Sequence, residues 1–191
     1  MIDSFLRQYP STEVRSLLLG TETFPYVTQD QLRKVISETS PLHILAFDPG
    51  DTTGVTYLEV HHDTIHAISG QILGTASLIY DIMTWFARGS ANDMRQIVCE
   101  DYRVYQSKAA SHVNSRVNTT RVIGMIEMMR FICALPPIHY QMASEGKGFF
   151  TDAKLKEGYF YVKGKPHGMD ALRHALHYLL FHVVTKEPVN G

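Results

Sequence analysis

Residues 44–60 read ILAFDPGDTTGVTYLEV, and the fold follows from how that stretch alternates. The apolar run 44–47 is too short for a helix, and Asp48 stands at its tip before the turn residues Pro49, Gly50 and Asp51. A second run, 54–60, follows at once, and a third, 64–72, lies beyond His61, His62 and Asp63. Three strands joined by such tight connections form an antiparallel meander. Working outward, Ala76–Ala87 places Leu78, Ile79, Ile82, Met83 and Phe86 on one helical face, Gly89 ends it, and residues 96–99 read as a fourth strand. A helical crossover returns the chain parallel to an earlier strand, and the free edge of the meander is its first strand. Strands one and four are therefore expected as parallel neighbours, with Asp48 and Glu100 side by side at the carboxyl edge where ligand sites of open α/β sheets gather.

Beyond Glu100 the pattern predicts a polar loop to about residue 114, a helix from about 117 to 134, a short strand at 138–140, a basic Gly-rich loop, and a last helix from about 168 to 185. The expected fold is α/β, a mixed five-stranded sheet of antiparallel meander plus parallel strands, flanked by helices. Residues 1–42 differ: two short helical patterns are broken by Pro10, Pro25 and Pro41, the second opened by Thr28 with Gln31 in a capping-box spacing. They read as an N-terminal extension to a domain at 43–186, with 187–191 as a tail.

Composition narrows the class. A chain of 191 residues, 45% hydrophobic and 19% charged, with 13 Gly and 8 Pro, suits one globular domain and excludes a disordered or fibrous chain. The longest apolar stretch, 175–184, carries His177 and His182 and falls short of the ~20 residues a membrane span needs. The opening residues lack the basic start and apolar block of a signal peptide, and Cys99 and Cys133 are too few for a disulfide framework. A cytosolic protein with reduced thiols is expected. The net charge of −1 conceals a division: residues 1–100 hold 6 Lys+Arg against 12 Asp+Glu, while 101–191 hold 12 against 7. The basic half, with Lys147, Lys154 and Arg173 among its cations, could meet a polyanion.

The acids carry the chemistry. Asp48 alone could be an ordinary turn residue, but Glu100 ends the neighbouring strand, and like charges a few ångströms apart are costly unless a cation neutralises them. His167 and Asp170 stand three apart at the start of the last helix and project from one side, although a capping histidine and an acid at a helix N-terminus would look the same. Leu172, Ala175, Leu176 and Leu179 mark that helix's sheet-facing side, and His174 lies one turn after Asp170, where it could orient it. Hard carboxylate oxygens with at most one imidazole suit Mg²⁺ or Mn²⁺, whereas Zn²⁺ would recruit cysteine. Two such ions, about 3.5–4 Å apart, can drive an in-line phosphodiester displacement. Gly54 would let backbone approach a phosphate. After Glu100, Tyr102, Arg103, Tyr105 and Lys108 interleave rings and cations as strand-stacking surfaces do, or as any polar loop can.

Three blocks, Phe47-Asp48-Pro49-Gly50 with Thr53-Gly54, Val98-Cys99-Glu100 and His167-Gly168-Met169-Asp170-Ala171, resemble in kind and order the RuvC branch of the RNase H-like nuclease superfamily. The likeness is greatest to the small RuvC-like Holliday-junction resolvases of bacteriophages and spans roughly residues 43–182. It implies an RNase H-like fold, a homodimer, and Mg²⁺-dependent nicking of branched DNA. By resemblance, Asp48, Glu100, His167 and Asp170 hold the metals, His167 alternatively protonating the leaving group, and Lys147 in the segment before the last helix contacts DNA, as would Arg103, Tyr105 and Lys108. The extension before residue 43 has no counterpart in the short bacterial resolvases. Flaps, RNA–DNA hybrids, a catalytically silent nucleic-acid module and an actin-like ATPase half remain open as alternatives, the last disfavoured because that fold needs two such domains.

Overall fold

The computed structural model describes residues 12–15, 41–61, 64–89, 93–102, 118–157 and 160–184. In chain order they form β1 (Thr12–Arg15), β2 (Leu42–Asp48), β3 (Thr52–His61), β4 (Thr64–Leu73), α1 (Ala76–Ala87), β5 (Met94–Glu100), α2 (Asn118–Ile132), β6 (Ile138–Gln141), α3 (Ala143–Phe149), α4 (Asp152–Glu157) and α5 (Pro166–Tyr178), which continues as a π-helical stretch, Leu179–Val184.

The sheet runs β1-β4-β3-β2-β5-β6. β2, β3 and β4 are the antiparallel meander; β5 pairs parallel to β2 and β6 parallel to β5. The meander and the parallel fourth strand thus stand as expected, and the strand at 138–141, to which pattern alone assigns no place, lies outside β5. A sixth is added at the edge: Thr12–Arg15, inside the region read as two helical patterns, pairs antiparallel with β4, Val14 opposite Ile65. The cause is non-local, since β4 would otherwise present its outer row of backbone N–H and C=O groups unpaired. The second helical pattern, opened by Thr28, lies outside the described residues.

Strand alternation sorts the core onto two faces. Leu42, Ile44 and Ala46 of β2 and Val98 of β5 join one cluster with Leu172, Ala175 and Leu176 of α5. Leu45 and Phe47 of β2, with Ile97 and Cys99 of β5, join the other, with Ile79, Met83 and Phe86 of α1 and Val122 and Ile126 of α2. Because helices cover both faces, β2 reads as a continuous apolar run. The same alternation has a chemical result. Asp48 follows Ile44 and Ala46, and Glu100 follows Val98, so both acids project toward the face on which α5 lies.

Residues 141–167, read as a basic Gly-rich loop, contain two short helices instead. The first is closed at its start by the Glu145 carboxylate, which accepts the Met142 backbone N–H at 2.5 Å. These local hydrogen bonds act over too few residues to leave a periodic signal.

Candidate active site

β2 and β5 hold Phe47 opposite Cys99, and the strands' next residues are Asp48 and Glu100. The turn after Asp48 is tied by Thr53, whose hydroxyl donates to the Gly50 carbonyl at 2.8 Å and accepts the Gly50 N–H at 3.3 Å. β3 then returns with Gly54 opposite Asp48. Gly54 serves close approach, but of a helix rather than the phosphate expected from sequence. A Cβ there would lie 1.9 Å from the His167 carbonyl oxygen, and one at Gly168 would lie 2.7 Å from the Gly70 carbonyl oxygen. A buried hydroxyl pair, Thr56 and Ser69 at 2.8 Å, completes the seam, Thr56 also donating to the Gly168 carbonyl at 3.2 Å. The start of α5 therefore rests directly on β3 and β4, which is what delivers His167 and Asp170 to the carboxyl edge. Gly54→Ala is expected to push α5 outward, at a cost of about 1–3 kcal/mol for overpacking. Urea unfolding and the loss of activity should move together.

Each acid meets nitrogen donors. Asp48, 9% exposed, accepts from His167 Nδ1 at 2.8 Å. Glu100 Oε2 lies 3.2 Å from His174 Nε2, and His174 Nδ1 lies 2.9 Å from the Gln141 carboxamide. It is the amide oxygen that faces Nδ1, and the Gln141 amide nitrogen has no partner among the described residues. Turned end for end, that amide would donate to Nδ1, and neutral His174 would donate from Nε2 to Glu100. Asp170 receives Lys147 Nζ at 2.8 Å and Arg173 Nη1 at 2.5 Å. Burial pushes the Asp48 carboxyl up to about 6; the His167 hydrogen bond opposes this, while the negative charges of Glu100 and Asp170 add to it. Burial alone would lower the Lys147 ammonium, but its hydrogen bond to Asp170 and the charges of Asp170, Glu100 and Asp48 hold it above the usual lysine range.

These residues suit a divalent cation by their chemistry. Three carboxylates, one of them buried enough to resist ionising beside the other two, form an electrostatic sink for a hard ion. Cys99 is buried on the opposite face with its thiol pushed up by that burial, so it offers no thiolate. Among the described residues, no three of the histidine, cysteine and carboxylate side chains are gathered in a coordination arrangement. The acids are instead each engaged by a neighbouring nitrogen.

Asp48, Glu100, His167 and Asp170 are thus brought to one edge, and Lys147 joins them through Asp170. Arg103, Tyr105 and Lys108 lie outside the described residues. Two expectations are corrected. His174 engages Glu100 rather than Asp170, because it faces β5 and β6 across the helix–sheet contact. Arg173 is no surface cation; its side chain is 9% exposed and binds Asp170, Asp152 and the Phe150 carbonyl. Its spacing of three from Asp170 was the available signal. Gln141, at the end of a four-residue strand, left none.

No protein-family model matches the sequence, and no curated protein sequence matches it. Among solved structures, the chain resembles RuvC of T. thermophilus, determined in complex with a Holliday junction substrate, at a TM-score of 0.51 and 12% identity, over 73% of this chain and 94% of that one. The architecture is RNase H-like: a mixed sheet, with parallel and antiparallel strands, flanked by helices.

Proposed function

We propose that this chain is a metal-dependent DNA endonuclease acting on branched DNA, most specifically a Holliday-junction resolvase of the RuvC-like bacteriophage type. One observation carries the reading: buried Asp48 at the carboxyl edge of an RNase H-like sheet, with Glu100 and Asp170 close enough to raise its pKa. The Holliday junction bound by the structurally similar RuvC supports branched DNA as the target.

Asp48, Glu100 and Asp170 would hold a pair of Mg²⁺ ions, Mn²⁺ substituting. The ions would supply activation of the attacking water and charge stabilisation at the scissile phosphate. The chain's own part is to set that chemistry in place. β2 and β5 fix the spacing of Asp48 and Glu100, His174 orients Glu100, and Arg173 orients Asp170. His167, bonded to Asp48 through Nδ1 and with its side chain 45% exposed, would serve as a ligand or as the group that hands a proton to the departing oxygen. Lys147, with Arg103, Tyr105 and Lys108, would contact the DNA.

A homodimer accords with a surface of α2 on which Met128, Phe131 and Ile132 are 55%, 77% and 63% exposed. Phe131→Glu is expected to shift the protein to monomer in sedimentation equilibrium with its circular dichroism unchanged. Activity is tested with a four-way junction beside duplex, flap and RNA–DNA hybrid substrates, each with Mg²⁺ and with EDTA. Symmetric Mg²⁺-dependent nicks in the junction are expected. Cutting confined to another substrate would remove the resolvase assignment, and binding without cutting would favour a silent module.

A further inference from the structure

Resting on the metal reading above, we infer that Lys147 is an exchangeable counter-ion: its ammonium is bonded to Asp170 and must leave that carboxylate for a divalent ion to take it. Both oxygens of Asp170 are occupied, Oδ1 by Arg173 at 2.5 Å and Oδ2 by Lys147 at 2.8 Å. The two cations differ in freedom. Arg173 is buried and tied at three points, to Asp170, to Asp152 and, at 2.7 Å, to the Phe150 carbonyl. Its buried guanidinium cannot swing away from Asp170 without breaking the bonds to Asp152 and the Phe150 carbonyl. Lys147 is 52% exposed and rides on the seven-residue α3. α3 itself is anchored, since a Cβ at Gly146 would lie 3.1 Å from that of Arg173. Only the flexible side chain of Lys147 therefore needs to swing.

The ammonium also lies within the field of Glu100 and Asp48. A metal entering among them competes with it directly. Released from Asp170, Lys147 is free to meet a phosphate, so phosphate at Lys147 and metal at Asp170 favour one another. Lys147 is thus a positioning residue whose loss should tighten metal binding, the reverse of what structural damage would do.

The test is Mn²⁺ affinity of the full chain without DNA, read by electron paramagnetic resonance of free Mn²⁺, for wild type, Lys147→Met, Lys147→Arg and Lys154→Met. Lys154 is a control of equal charge on the neighbouring α4, its ammonium bonded to the Phe149 carbonyl at 2.9 Å. Lys147→Met is expected to bind Mn²⁺ roughly two- to fivefold more tightly, the range of a partly exposed ion pair. Lys147→Arg and Lys154→Met should stay near wild type. Equal or weaker affinity in Lys147→Met, or an equal gain in Lys154→Met, would overturn the exchange. If wild type binds no Mn²⁺ that Asp48→Asn removes, the metal reading itself fails and the exchange with it.

Discussion

Asp48→Asn should abolish junction cleavage while making the metal-free protein more stable at neutral pH. Loss of the residue proposed to hold both ions would remove several kcal/mol of transition-state stabilisation, at least about a thousandfold in rate. Stability moves the other way because the folded carboxyl titrates near 6 against an ordinary value of 3.8. Between those values the folded chain holds the proton that the unfolded chain has released. Asp48 therefore costs nothing below about pH 4, its cost grows as pH rises, and it is complete above about pH 6. A carboxyl held that far above its ordinary value costs the folded state about 3 kcal/mol at neutral pH, and the neutral carboxamide removes the charge while its oxygen still accepts from His167 Nδ1. With EDTA at pH 7, calorimetry should show Asp48→Asn melting about 6–12 °C above wild type, at about 2–4 °C per kcal/mol for a chain of this size, the two converging near pH 4. Saturating Mg²⁺ should reverse the order, since only wild type gains from binding. A variant less stable than wild type at pH 7 in EDTA would show that Asp48 is not held against its solvation.

Arg173→Met should be the most destabilising single change at the site, by about 3 kcal/mol. Removing one partner of a buried charge network costs about 3–5 kcal/mol, and the lower figure applies because Asp152 is 56% exposed and Lys147 remains on Asp170. The Phe150 carbonyl loses the Nε donor, and Asp152 loses its cation. Arg173→Lys should rescue little, since a single ammonium cannot span Asp170, Asp152 and a backbone carbonyl at once. Urea denaturation measures the loss directly. Less than about 1 kcal/mol would mean that the network is solvated. Because Arg173 also fixes Asp170, the rate in Arg173→Met should fall at Mg²⁺ concentrations that saturate wild type.

The meander, the parallel strand beside its first member and the edge carrying the acids were legible because each depends on short-range pattern. Alternation over 44–60 signals a strand, a turn and a strand, and the helix at Ala76–Ala87 compels a parallel return, so Asp48 and Glu100 pair on pattern alone. The edge strand Thr12–Arg15 was not legible, since what makes it a strand is the open flank of β4. Nor were α3 and α4, which hold six or seven residues each and take their order from contacts with α5.

What the sequence by itself determined is the kind and sequence position of the site's acids and the sheet that carries them, because those follow from alternation, turn chemistry and the geometry of a crossover. Only the tertiary structure decided how they are compensated. Asp48 and His167 lie 119 residues apart and meet because Gly54 and Gly168 carry no Cβ to keep α5 off the sheet. The assignment of His174 to Glu100, and of Lys147 and Arg173 to Asp170, then follows from which side chains that close packing leaves within hydrogen-bond reach, a condition of three-dimensional distance that no local pattern encodes.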